Sequence, residues 1–241
     1  MPVPVILIHG WSVTNTDTYG ELPLRLQAMG AAGGLEFDIR NIWLSKYVSF
    51  HDEVRLRDIA HGMEAAIRAE LGDLLAAGQR FVVITHSTGG PVARDWWQRF
   101  YRDKGEVCPM SHLIMLAPAN FGSALAQLGK AKVGRMKSFF AGVEPGAGVL
   151  DWLELASPES WQLNLDWIRG GDSFLDDPQN AVFPFVLTGQ SIDHAIYDHV
   201  NSYTGEMGSD GVVRAAAANL NATYVKLVQE APSFNSRGRA N

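Results

Sequence analysis

The sequence has a single cysteine, Cys108, among its 241 residues. It therefore forms no intrachain disulfide and has no paired thiols spaced to hold zinc. A buried, unreactive thiol is the expectation for that position. An excess of positive charge is also missing: 20 Lys and Arg stand against 26 Asp and Glu, for a formal net charge of -6. No basic cluster is interleaved with aromatic residues either, and together these exclude nucleic acid as a partner. Nowhere does the chain reach the ~18 continuous apolar residues of a membrane span. The start, Met1-Pro2-Val3-Pro4, has no basic stretch ahead of its short apolar run, so no secretory leader is visible and a cytoplasmic location is expected. Internal repeats and low-complexity tracts are absent as well.

What is present is enough apolar material for a real core. Apolar residues make up 46% of the chain and charged residues 19%, which fits a folded domain and not a disordered one. The length favours one large α/β domain carrying an insertion over two independent modules. Short β-rich runs alternate with longer segments of helical period, the pattern of a mostly parallel sheet flanked by helices. Strands are expected over 3–8, 35–43, 80–85, 112–116, 182–188 and 223–228, each short and mostly apolar, as strands buried on both faces must be. Ile59, Met63, Ile67, Leu71 and Leu74 recur at three- and four-residue spacings and predict an amphipathic helix over 53–77. A second helix is predicted over 88–102.

The stretch 121–180 breaks this alternation. It lacks a strand, carries Trp152, Trp161 and Trp167, and contains the break Glu144-Pro145-Gly146-Ala147-Gly148. A helical insertion is expected there, which leaves 1–120 and 181–241 as the core of the domain. The polar tail, 231–241, has no period and is expected to fray.

The sharpest chemical signal is Val82-Val83-Ile84-Thr85-His86-Ser87-Thr88-Gly89-Gly90, an apolar strand that runs into a helix across a tight turn with serine at its apex. Such a nucleophile elbow strains the serine backbone and lifts its hydroxyl to the carboxyl end of the sheet. The residues two positions to either side must be small; Gly89 satisfies this, whereas Thr85 forces strand and helix slightly apart. The Thr88 amide falls at the N-terminus of the following helix, where an anionic intermediate is stabilised. An ordinary helix-capping serine is the competing reading. The first candidate strand ends in Ile8-His9-Gly10-Trp11-Ser12. Gly10 lets the chain turn sharply beside the elbow, so the Trp11 amide is the candidate second oxyanion donor. His9 reads as a structural residue under that turn.

With both pieces in place, the chain resembles the α/β-hydrolase superfamily, and more narrowly its bacterial lipase and phospholipase-like esterases, which carry an H-G-x turn and an [AGT]-H-S-x-G-G elbow. Leu116-Ala117-Pro118-Ala119-Asn120-Phe121-Gly122-Ser123 is similar to the segment after the strand that follows the elbow in those lipases. The resemblance implies an acyl-enzyme on Ser87 and a triad in the chain order Ser, Asp or Glu, His. Gly208-Ser209-Asp210-Gly211-Val212-Val213 looks like the lipase loop that supplies the acid, which makes Asp210 the candidate. A plain Asp-Gly turn is the alternative for it, and Asp193 is the runner-up acid.

The histidine departs from the family pattern. The seven are His9, His51, His61, His86, His112, His194 and His199, and none follows Asp210. The resemblance places the catalytic histidine after the last strand and a final helix beyond it. Both are then expected past Asn241 in a longer chain, with recruitment of His199 or His194 as the alternative. Without a general base a serine hydroxyl is a poor nucleophile, so little activity is expected of the 241-residue form.

Family members often insert a cap over the acyl pocket, and 121–180 fits that role. Leu125, Leu128, Met136, Phe139 and Phe140 form one apolar face, and Lys130, Lys132, Arg135 and Lys137 give local positive charge. Such a helix lies on a lipid interface or contacts a phosphate headgroup; the simpler reading is a face packed on the core with solvated lysines. The expectation is therefore a serine carboxylic-ester hydrolase acting on hydrophobic or lipid esters, with no metal and no organic cofactor. The alternatives are an inactive hydrolase-fold module that binds a lipid or a partner protein, or an acyltransferase.

Overall fold

The computed structural model describes residues 1–9, 19–48, 53–123, 126, 146–169, 179–189, 209–210, 212–220, 225–229 and 236–240. Its centre is a sheet of five parallel strands: β1 (Val3–His9), β2 (Phe37–Trp43), β3 (Phe81–His86), β4 (Met110–Leu116) and β5 (Phe183–Leu187). Each falls on an expected run, with ends shifted by only a residue or two. The spatial order is β2-β1-β3-β4-β5. The chain goes outward from β1 to β2, then returns to the other side of β1 as β3. At such a reversal the loops leaving neighbouring strands diverge and open a crevice at the carboxyl edge. Ile8 lies opposite Thr85, so β1 and β3 end side by side at that crevice.

Alternation along the strands sends side chains into two layers. Ile6 and Ile8 join the larger core with Ile42, Phe81, Val83, Leu113 and Met115. Val5, Leu7 and Ile84 face the other way, with Tyr19, into a smaller cluster. The larger core is closed by α2 (Leu56–Glu70) and α4 (Gly89–Phe100), which follow the two predicted helical stretches. Ile59, Met63 and Ile67 of α2 are buried. The backbone of Arg55, just ahead of α2, donates to Asp58 Oδ2 at 2.9 Å, a side-chain bond that ties down the chain at the helix start. The single helix expected over 53–77 is interrupted: Leu71 has φ -118 and ψ 20, and the short α3 (Gly72–Ala76) follows. Within the core, Trp96 has no exposed surface and donates its indole N–H to Glu64 Oε2 at 2.6 Å. Cys108 is buried, and burial raises its thiol pKa.

The longer of two helices without a counterpart among the sequence expectations comes between β1 and β2. α1 (Leu22–Ala32) has Pro23 in its first turn, where a missing N–H costs nothing. Its Leu24 and Met29 are both 68% exposed, and only Gly30 is buried. Apolar residues on the wet side erase the period by which a surface helix is read.

The described part of 121–180 is helical, with α5 (Ala147–Leu153) and α6 (Pro158–Arg169). Val149, Trp152, Leu153, Leu163 and Trp167 of this pair are buried in the same core as α2 and α4. The residues expected to form the apolar and basic faces of a cap, from Leu125 and Leu128 to Phe140, lie outside the described residues. A one-turn helix, α7 (Ala215–Ala218), comes late in the chain.

Two expectations for the last segments need correction. The run 223–228 does contain a strand, β6 (Val225–Gln229), but it does not join the parallel sheet. It pairs antiparallel with β7 (Ser236–Ala240), within the tail expected to fray. An antiparallel ladder pairs the facing main-chain groups of both segments through backbone bonds alone, so it needs none of the side-chain period whose absence suggests fraying. Among the described residues, no helix is long and apolar enough to cross a membrane.

Candidate active site

Ser87 stands one residue beyond β3, at the corner where the strand gives way to α4. Its φ is 53, the left-handed region that a non-glycine residue enters only at a cost. Hydrogen bonds hold it there. Its N–H donates to Leu116 O at 2.9 Å, and its carbonyl accepts from Gly90 N at 3.3 Å and Ala119 N at 3.4 Å. The side chain is half-buried, and its hydroxyl has no hydrogen-bond partner among the described residues. Thr88 opens the helix with φ -62 and ψ -20, and no described group accepts its N–H. A donor of this kind at a helix N-terminus is the arrangement that stabilises negative charge.

Spacing at the corner explains the sequence around it. A Cβ on Gly89 would lie 3.2 Å from Thr85 Cβ and 3.6 Å from Ile8 O. The larger Thr85 is thus accommodated because its opposite number has no side chain. The cost falls on Thr85 itself: it is fully buried, and its hydroxyl has no partner among the described residues. The neighbouring strand ends the same way. Ala117, just past β4, has φ 44, and its N–H donates to Leu187 O at 2.7 Å. Alanine itself gives no turn signal, and only Pro118 beside it marks that second strained corner in the sequence.

Tyr19 is another residue the sequence does not flag. Its buried hydroxyl lies 2.8 Å from Ile8 O and 3.2 Å from Ile84 O, bridging the ends of β1 and β3. Burial raises its pKa, so it remains a donor.

Asp210 is held as a bent, self-bonded turn. Its Oδ1 accepts from Val212 N at 2.9 Å and from Val213 N at 2.8 Å, and Ser209 bridges to Arg214 across the turn. Among the described residues nothing donates to Oδ2. The turn lies against the sheet edge just past β5, since a Cβ on Gly189 would come within 3.2 Å of Asp210 Cβ. Its charge is felt at His86, the residue before the elbow serine. Burial lowers the His86 pKa, and the Asp210 charge pushes it back up. Ser87, Thr88 and Asp210 therefore share the carboxyl edge of the sheet. Trp11, Asp193, His194 and His199 lie outside the described residues.

Two cavities among the described residues lie elsewhere. One of about 300 Å³ lies between the start of α2, α4 and the α5–α6 pair, lined by Asp95, Arg99, Trp152 and Asp166 among others. One of about 200 Å³ lies between α6 and α7, against Phe121, Trp167 and Leu220. Neither is lined by Ser87, Thr88 or Asp210. Among the described residues no group of His, Cys, Asp or Glu is arranged to hold a metal ion.

No family model matches the chain, and no curated relative does. Solved structures do. Phospholipase PlaB from Legionella pneumophila is 52% identical, with a TM-score of 0.77 over 98% of this chain and 49% of the PlaB chain. The same phospholipase in complex with thio-NAD aligns with 50% identity and a TM-score of 0.74, over 99% of this chain and 48% of that one. The mature form of lipase BlEst2 from Bacillus licheniformis is 16% identical with a TM-score of 0.61, over 91% of this chain and 80% of the lipase, a likeness of fold. The chain thus spans about half the length of PlaB. Its parallel sheet, strained serine corner and likeness to these structures make it a member of the α/β-hydrolase superfamily, of the lipase and phospholipase-like kind.

Proposed function

We propose that the chain carries a serine ester hydrolase site, with Ser87 as nucleophile and Asp210 as the acid of its triad. The observation that carries this reading is the positive φ of Ser87 at the β3–α4 corner. A residue other than glycine is held in that region only where the surroundings enforce it, and here the result is a hydroxyl with no hydrogen-bond partner among the described residues.

In the proposed reaction Ser87 Oγ attacks the carbonyl carbon of a carboxylic ester. The carbonyl oxygen takes the negative charge and is met by the Thr88 N–H at the start of α4, with the Trp11 N–H as second donor. A histidine oriented by Asp210 takes the hydroxyl proton and passes it to the departing alcohol. No histidine follows Asp210 in the sequence, and His199 and His194 are the two nearest before it. The acyl group remains on Ser87 until water, activated by the same base, releases the carboxylic acid and restores the serine. The doubly bonded Oδ1 of Asp210 suits the orienting role: two backbone amides fix one oxygen and leave the other for the histidine.

PlaB is a phospholipase, which supports esters with hydrophobic acyl groups as the substrate class. The segment 121–180 is proposed as the cap beside the acyl chain. The test is hydrolysis of a p-nitrophenyl ester by the parent and by Ser87→Ala. Whatever turnover the parent shows above the uncatalysed rate is expected to fall by orders of magnitude in the variant, to the residue left by binding and the oxyanion donors; a variant as fast as a parent that turns over removes Ser87 from the reaction.

A further inference from the structure

The lipase-like segment Ala119-Asn120-Phe121-Gly122-Ser123 has no place in the chemistry so far. It is nevertheless buried: Asn120 has no exposed surface, and Ser123 only 7%. Buried polar side chains persist where their groups are bonded, and the bonds of this strap lead to both halves of the proposed site. On the nucleophile side, Ala119 N donates to Ser87 O at 3.4 Å, and Arg94 of α4 donates from Nη1 to Asn120 Oδ1 at 3.0 Å. On the acid side, Asn120 Nδ2 donates to Ala218 O at 2.8 Å, and Ser123 Oγ donates to Val212 O at 2.6 Å.

The two acid-side bonds are not equivalent to general packing. Val212 is the residue whose own N–H holds Asp210 Oδ1, so Ser123 grips the far side of the residue that supports the carboxylate. Asn120 has a chemistry few side chains share. Its oxygen receives from the helix that begins at the serine, and its nitrogen gives to the segment that follows the acid. An aspartate in its place would turn an acceptor toward Ala218 O, and an aliphatic residue would bond neither side. We infer that Asn120 and Ser123 are positioning residues that fix the Asp210 turn against the Ser87 corner. This deepens the ester-hydrolase reading and rests on it for its catalytic meaning.

Amide hydrogen exchange of the 241-residue chain tests the clamp without requiring turnover. Ser123→Ala and Asn120→Asp are expected to raise exchange at the Val212 and Val213 amides by about tenfold or more while the β3 and β4 amides keep their parental rates. Asn164→Ala serves as the control, because Asn164 bonds the same strap at Asn120 O but from the α6 side. It is expected to leave Val212 and Val213 unchanged. If Asn120→Asp does not fold, Ser123→Ala alone decides. The inference is overturned if Ser123→Ala leaves those two amides at their parental rates, if exchange rises equally across the sheet, or if Asn164→Ala loosens them as much.

The catalytic meaning is read from the rate at which a fluorophosphonate labels Ser87. Ser123→Ala should slow labelling in the parent and add nothing in the Asp210→Asn background, since the residue acts through Asp210. Equal slowing in both backgrounds overturns the positioning role. A parent that does not label at all counts against the ester-hydrolase reading, and the exchange result then decides the clamp by itself.

Discussion

Gly122 lies where the strap passes the end of α5, and replacing it by alanine separates two costs that are usually confounded. Its φ is +88, and a Cβ there would come within 2.6 Å of Leu153 O and closer still to Glu154 O. Gly34 provides the matching control: φ is +76, and a Cβ added there would meet nothing within 4 Å. Forcing an L-residue into the left-handed region costs ~1–2 kcal/mol, partly offset by the stiffer unfolded chain, ~0.4–1 kcal/mol. Gly34→Ala should therefore destabilise by ~0–1.6 kcal/mol. Gly122→Ala carries the same term plus an overpacking term against main chain that cannot rotate away, typically ~1–3 kcal/mol. A total of about 3 kcal/mol corresponds to a fall of ~6–12 °C in Tm for a domain of this size. Urea unfolding at constant m-value reads both variants. If Gly122→Ala proves as mild as Gly34→Ala, the close passage of the strap beneath α5 is wrong, and with it the anchoring of Ser123.

Two further outcomes follow from buried groups. Burial lowers the pKa of both His86 and His112, against the opposing Asp210 charge at the first and with the help of Arg80 at the second. The unfolded chain then binds more protons below about pH 6.5, so stability should fall as pH drops from 7.5 to 5.5. His86→Gln should flatten part of that slope in urea titrations at the two pH values; an unchanged slope removes His86 as a contributor. Trp96→Phe deprives the buried Glu64 of the indole N–H at 2.6 Å, a bond to a carboxylate that should cost roughly 2 kcal/mol. A loss in urea unfolding under about 0.5 kcal/mol would show that Glu64 finds another partner.

Much of the frame is legible in the sequence because the central parallel strands β1 and β3, mostly buried, appear as continuous apolar runs, and α2 because its apolar stripe at Ile59, Met63 and Ile67 faces a core on one side only. The serine corner is legible for a local reason: its strain requires a small residue within two positions, and Gly89 supplies it. What cannot be read depends on partners far away in the chain. Tyr19 bonds to Ile84 across 65 positions, and Asn120 to Ala218 across 98; neither residue type announces such a partner in its neighbourhood. α1 is hidden because Leu24 and Met29 lie in solvent. β7 is hidden because a terminal ladder is made of backbone, not of pattern. Asp210 is an intermediate case: the Asp-Gly pair predicts a turn, and only the fold reveals that the turn rests on Gly189 at the edge that also carries Ser87.

The most direct test of the account is the site of covalent modification by a fluorophosphonate, read by intact mass and peptide mapping. The account predicts a single adduct on Ser87, absent from Ser87→Ala and slowed in Asp210→Asn. No adduct on the parent, or an adduct that persists after Ser87→Ala, would contradict it.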